Sequence, residues 1–158
     1  LGSFGVISGE ASVDPAAEIS EIYYDSNITD ESSGEYVVLE INADEVSSDF
    51  NIKNGETTDL FESGSFSVGE SVVFYENDSG DDFRVLDKKE GFVYVELNSF
   101  SLSNSGQYVN LTYGSGDKTI QTVEYTAEGD EDCETSESYY VDSGKCKEAS
   151  QKVLGDQE

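Results

Sequence analysis

Apolar and polar residues alternate along most of the chain, in short runs that are separated by residues typical of turns. The clearest run covers residues 35–42, where Val37, Leu39 and Ile41 would form one apolar face. A period of two predicts β-strands, and no segment with a helical period reaches helix length. Further strands are predicted at residues 18–24, 50–52, 66–75 (bent at Gly69), 83–86 and 92–97.

The strongest local signal is a β-hairpin within residues 100–125. Residues 108–113 alternate, residues 114–117 form a Gly-rich turn, and residues 120–125 return. In this arrangement Val109 and Leu111 would face the core, with Asn110 on the opposite face. Many short strands separated by turns predict an all-β protein, either a β-sandwich or a β-barrel.

Residues 1–13 differ from the rest of the chain because they carry a single charge, at Glu10. One interpretation is a frayed terminus or first edge strand. The other is a donor strand that pairs with the sheet edge of another subunit, where main-chain hydrogen bonds give affinity and alternate side chains fill pockets. The side chains available for that contact are Leu1, Phe4, Val6, Ile7, Ala11 and Val13.

Three regions follow from these patterns. Residues 1–17 form an N-terminal extension that ends in a hinge at residues 14–17, which contain the single proline. Residues 18–126 form the sandwich. Residues 127–158 are expected to be an irregular acidic segment, with a short helical turn over residues 147–153.

The chain is strongly acidic. Eight Lys and Arg against 35 Asp and Glu give 8 − 35 = −27. With 11% aromatic residues a core can still form, so we expect an acidic surface over a β core, as in proteins that work in high salt, where cations screen self-repulsion. A merely acidic secreted domain is the alternative. The same charge disfavours nucleic acids and anionic membrane surfaces as partners.

Cysteine and histidine usage narrows the chemistry. Cys133 and Cys146 are close in sequence and predict a disulfide in an oxidising compartment; two unrelated thiols are the alternative. The absence of histidine excludes a Ser-His-Asp triad and histidine metal sites. No apolar run approaches a membrane span, and any signal segment is expected to have been removed. The disulfide expected in an oxidising compartment is in keeping with an extracellular or cell-surface location.

Two oxygen-rich clusters are candidate calcium ligands: Asp78, Asp81 and Asp82 in one, and Asp130 and Asp132 in the other. Neither has EF-hand spacing, and a solvated acidic face is the alternative. Three sequons place candidate glycosylation sites at Asn27, Asn77 and Asn110.

Several motifs along the chain resemble the lamin tail domain family. They are Leu-Ser-Asn-Ser-Gly at residues 102–106, Gly-Glu-Tyr-Val-Val-Leu at 34–39, Phe-x-Val-Gly at 66–69 and Thr-Val-Glu-Tyr at 122–125. The resemblance covers residues 18–125, although the tryptophan usual after the family's second strand is absent. It implies an immunoglobulin-like sandwich, and prokaryotic members are typically secreted or surface-attached.

We therefore expect an extracellular structural module of a halophile, a non-enzymatic cell-surface filament subunit that self-associates into an open homopolymer by exchanging its N-terminal strand. No cofactor is required, and no membrane insertion or nucleic-acid partner is expected. The alternative function is a monomeric surface adhesion or binding module that uses calcium.

Overall fold

The computed structural model describes residues 16–24, 35–43, 50–54, 57–60, 66–76, 90–97, 102, 108–113, 118–125, 133–134 and 137–151. Within these ranges the secondary structure consists of strands, and none of the described residues forms a helix that could cross a membrane. The strands are β1 (Ala17–Tyr23), β2 (Tyr36–Ile41), β3 (Phe50–Asn54), β4 (Thr57–Leu60), β5 (Ser71–Glu76), β6 (Phe92–Leu97), β7 (Tyr108–Tyr113), β8 (Lys118–Glu124), β9 (Glu137–Tyr140) and β10 (Lys145–Glu148).

Two sheets confirm the predicted all-β sandwich. A 6-stranded sheet has the order β10-β9-β1-β2-β5-β6, and a 4-stranded sheet has the order β4-β3-β7-β8. Neighbouring strands are antiparallel except β5 and β6, which run parallel. The predicted hairpin is confirmed as β7 and β8, which pair from Tyr108 with Glu124 to Tyr113 with Lys118.

The main core lies between the sheets and follows the alternation of the sequence. From the 6-stranded sheet it takes Ile19, Ile22, Val37, Leu39, Val72 and Phe74, and from the 4-stranded sheet Ile52, Val109, Leu111 and Val123. The backbone N–H of Ile19 also donates to Oε1 of Gln121 at 2.6 Å, which ties β1 to β8 across the core.

A β-bulge in β1 makes this core possible. Ile19 pairs with Leu39 and Glu21 pairs with Val38, so Ser20 is the extra residue. Strict alternation would place Ile19 and Ile22 on opposite faces, because they are three residues apart. The bulge puts both in the core and turns Glu21 to the outer face of the sheet. The carbonyl of Ser20 accepts a hydrogen bond from the N–H of Val141 at 3.0 Å, which continues the register of β9 with β1.

Three sequence-based boundaries need correction. Ala17, placed in the hinge, is the buried first residue of β1. The sequence pattern places Val68 within a strand, but Val68 lies in a turn and is 52% exposed. The neighbouring Gly69 has a φ of 90°, in the left-handed region that favours glycine.

The C-terminal segment is not irregular over residues 137–148. β9 and β10 form a hairpin, and β9 adds to the 6-stranded sheet beside β1. The predicted helical turn is wrong at Lys147 and Glu148, which belong to β10. The polar run is too short to reveal its period, and the edge of β1 supplies the partner that fixes it as strand.

The predicted disulfide is confirmed. Cys133 and Cys146 are bonded to each other with a sequence separation of 13, and Cys133 is buried at the margin of the core. The N–H of Cys133 donates to the hydroxyl of Tyr24 at 2.8 Å, and the Tyr24 ring packs on Tyr125 with a centroid distance of 4.8 Å. The disulfide therefore connects the edge strand β10 to the margin of the core beside Tyr24.

Replacing both cysteines with alanine should lower the free energy of unfolding by about 3 kcal/mol, the typical effect of releasing a cross-link over a loop of this length. Urea unfolding of the double variant should match that of the reduced native protein. An unchanged unfolding midpoint in both samples would show that the loop contributes no stability.

Candidate functional site

The outer face of the 6-stranded sheet carries a second, smaller apolar layer. Tyr23, Tyr36, Val38 and Val73 are each at most 2% exposed although they point away from the main core. Phe92, Tyr94, Tyr75 and Ala149 are partly buried against them. The segment after β10, residues 149–151, lies on this face and contributes to its burial.

A buried carboxylate holds that segment in place. Glu21 is 3% exposed, and its Oε2 accepts hydrogen bonds from the hydroxyl of Tyr36 at 2.7 Å and from the N–H of Ser150 at 3.0 Å. The hydroxyl of Ser150 donates to Oε1 of Glu21. Both carboxylate oxygens therefore bind donors, as burial of a charge demands. Ser150 comes from a position 129 residues away in the chain.

Gln151 extends the network on the other side of Tyr36. Its N–H donates to the Tyr36 hydroxyl at 3.1 Å, and its side-chain Oε1 accepts from the hydroxyl of Tyr94 at 2.7 Å. Gln151 is 1% exposed, so these bonds satisfy a buried amide. Together the bonds join β1, β2 and β6 to residues 150–151, and we call this set of side chains the Glu21 network.

The tyrosines of this face act as hydrogen-bond donors and not as bases. Burial raises the pKa of Tyr36, and the nearby Glu21 carboxylate raises it further because a phenolate would be repelled. Burial likewise raises the pKa of Tyr140, again with a contribution from Glu21. Both phenols therefore keep their protons at neutral pH.

A groove of about 360 Å³ opens beside the Glu21 network. Its floor includes Glu40, whose two oxygens accept from the hydroxyls of Ser71 at 2.8 Å and Ser20 at 3.1 Å. On its far wall the Lys147 ammonium lies 4.9 Å from the centre of the Tyr140 ring. The oxygens of Glu21 and Glu40 that line the groove already accept hydrogen bonds from protein donors. The described residues contain no group of side chains suited to hold a metal ion.

The terminal strands of the two sheets differ in chemistry. β10 exposes Lys145, Lys147 and Glu148, and charged side chains of this kind protect an edge from pairing with other chains. β8 exposes Thr119, Thr122 and Glu124, and the sequence of β4, Thr-Thr-Asp-Leu, is also polar.

β6 is the exception among these edges. Four consecutive uncharged residues, Phe92, Val93, Tyr94 and Val95, are each only partly buried. Val93 and Val95 pack on the main core, and Phe92 and Tyr94 pack on the outer layer. Within the part of the chain that the structure describes, β6 pairs with β5 alone. This apolar edge is the candidate surface for an additional strand.

The predicted glycosylation site at Asn110 lies on the face opposite Val109 and Leu111, as expected. Asn110 is partly buried, and its Oδ1 accepts from the hydroxyl of Thr122 on β8 at 2.6 Å. Thr112, the third residue of the sequon, is 1% exposed. Attachment of a sugar at Asn110 stays a prediction.

The other predicted site residues lie outside the described ranges. They are Asn27 and Asn77, the calcium candidates Asp78, Asp81, Asp82, Asp130 and Asp132, and the donor-strand residues Leu1, Phe4, Val6, Ile7, Ala11 and Val13. Glycosylation, calcium binding and strand donation at these positions stay predictions.

Sequence reasoning did not find the Glu21 network. Glu21 lies between Ile19 and Ile22, and the sequence suggests an acid that faces solvent. No motif connects Glu21 to Ser150 or Gln151. Comparison with protein families, with curated proteins and with solved structures finds no match, so the resemblance to the lamin tail domain family stays a prediction.

Replacing Tyr36 with phenylalanine should lower the free energy of unfolding by about 1.5–3 kcal/mol, because a buried carboxylate loses a donor. Tyr108→Phe is the matched control, because it removes the same hydroxyl from a side chain on β7 that is 39% exposed, so the change in stability should be less than about 0.5 kcal/mol. Equal losses in the two variants, measured by urea unfolding, would contradict a specific role for the Tyr36 hydroxyl.

The raised pKa of Tyr36 also predicts how stability depends on pH. The unfolded chain releases this proton near the ordinary value of 10.0, below the folded-state pKa. The stabilisation is therefore complete below about pH 10 and is lost as the pH rises toward the folded-state pKa. Between about pH 10 and pH 11 the free energy of unfolding of Tyr36→Phe should fall less steeply than that of the native protein, by up to ~1.4 kcal/mol per pH unit. Parallel pH profiles of the free energy of unfolding for the native protein and Tyr36→Phe would contradict this prediction.

Proposed function

We propose that this protein is a structural module of the cell surface, a filament subunit that assembles by donating its N-terminal strand to a neighbouring copy. The observation that supports this function best is the apolar edge of the sandwich at β6. A sheet edge of this kind favours pairing with another strand, and soluble proteins usually protect such edges with charge.

The distribution of charge supports the same proposal. The body of the protein repels other acidic surfaces, since the chain has a net charge of −27, while residues 1–13 carry a single charge. A nearly neutral strand can approach an uncharged edge without strong repulsion. We propose that the protein works in high salt. At about 1 M salt, screening would limit the range of the repulsion between adjacent subunits to about 3 Å.

The chemistry of the described residues favours a structural role over catalysis. The buried tyrosines and carboxylates of the outer face bind one another and hold residues 150–151. The disulfide between Cys133 and Cys146 supports an oxidising, extracellular location. The all-β sandwich with this disulfide is compatible with an immunoglobulin-like domain, and we propose that class.

Deleting residues 1–13 should leave a folded monomer that no longer assembles. The native and truncated proteins are compared at about 1 M salt by electron microscopy and sedimentation, and by circular dichroism to verify the fold. Polymerisation of the truncated protein, or a native protein that is monomeric at every concentration and salt level, would exclude strand exchange.

A further inference from the structure

We infer that β6 is the acceptor of the donated strand, and that its occupant is the segment of residues 1–13 from a second copy of this chain. This inference rests on the function proposed above and names the partner surface within it.

The backbone of β6 has the orientation that an acceptor needs. The N–H of Ser71 on β5 donates to the carbonyl of Gly91 at 2.9 Å, and Ser71 pairs with Phe92 in parallel register. Backbone groups alternate between the two sides of a strand, so if Gly91 faces β5, the N–H and C=O groups of Phe92 and Glu96 face away from it. A strand added beside β6 would pair with these groups.

The side chains of β6 would gain from the same contact on both faces. Val93 and Val95 are partly exposed at the margin of the main core, and Phe92 stacks on Tyr94 with a centroid distance of 6.4 Å at the margin of the outer layer. An added strand with apolar side chains on both faces would cover both margins. Residues 1–13 have that pattern, with Ile7, Ala11 and Val13 on one face and Phe4 and Val6 on the other.

Charge favours a second copy over the segment of the same molecule, although that segment is long enough to reach β6. The carbonyl of Ala16 accepts from the N–H of Asn42, so the chain is still beside β2 at this point. A position outside β6 lies four strand spacings from β1, or about 19 Å, which takes about six extended residues to cross. Those residues would include Glu10 and Asp14 and would pass Glu70 and Glu90 at the same end of the sheet, where like charges repel. The segment of a second copy has no such crossing to make.

The test replaces Glu96 with proline in the full chain. Proline removes an N–H that faces away from β5, and an edge strand tolerates it there. Glu96→Gln is the matched control, because it makes the same change of charge and keeps the N–H. We expect Glu96→Gln to assemble and Glu96→Pro to remain a folded monomer, as judged by circular dichroism and sedimentation.

Mixing the variant with native protein separates donor from acceptor. Glu96→Pro keeps its donor segment, so it should bind to the end of a native filament and stop growth there. Native filaments should shorten as its share rises, because the contact is heterologous and each subunit must both give and accept a strand. Assembly of Glu96→Pro into filaments as long as the native ones would overturn the inference.

Hydrogen exchange keeps the test decisive if Glu96→Pro does not fold. On assembly of the native protein, the amides of Phe92 and Glu96 should gain protection. Protection at β4, β8 or β10 instead would exclude β6 as the acceptor, while loss of assembly in the protein without residues 1–13 would still support strand exchange. A different result is that these amides are protected already in the monomer and lose that protection when residues 1–13 are deleted. That result would show that the segment pairs within its own molecule, and it would also overturn the inference.

Discussion

The bulge at Ser20 is the constraint on which most of the described structure depends. β1 has apolar residues at Ile19 and Ile22, a spacing that a regular strand cannot place on one face. One extra residue resolves the conflict, and both side chains enter the core. The same shift directs Glu21 to the outer face, where Tyr36 and Ser150 bind it. A single local irregularity therefore positions both the core and the buried carboxylate.

The outer face illustrates how a small acidic sandwich obtains a second buried layer. Tyrosine rings supply apolar area, and the hydroxyl of Tyr36 donates to the buried carboxylate of Glu21. Residues 150–151 complete this arrangement because they bring N–H and O–H donors to Glu21 and Tyr36. Because Glu21, Tyr36 and Tyr94 all form hydrogen bonds with residues 150–151, the layer strengthens the connection between the C-terminal segment and the sheet.

The edges of the sheets divide into protected and unprotected ones. Two edges carry exposed polar side chains, which disfavour pairing with another chain. These side chains are lysines and a glutamate on β10, and threonines and a glutamate on β8. β6 has no such charges over residues 92–95, and it lies at the end of the sheet opposite the disulfide-linked β10. Among the described strands, β6 is therefore the edge best suited to the added strand that we propose, and such a contact between unlike surfaces would build an open chain.

The amino-acid sequence alone determined the all-β class, the β7–β8 hairpin and the faces of Val37, Leu39, Val109 and Leu111, because these depend on alternation and turn residues within a few positions. It also indicated the disulfide, since only two cysteines are present. It did not determine that Glu21 is buried, that residues 137–148 are a hairpin, or which edge is apolar. Alternation shows that two faces differ but does not show what covers each of them. Only the tertiary structure brings Ser150 to Glu21 across 129 residues and leaves β6 at the end of a sheet, because those positions depend on contacts between segments that are distant in the chain.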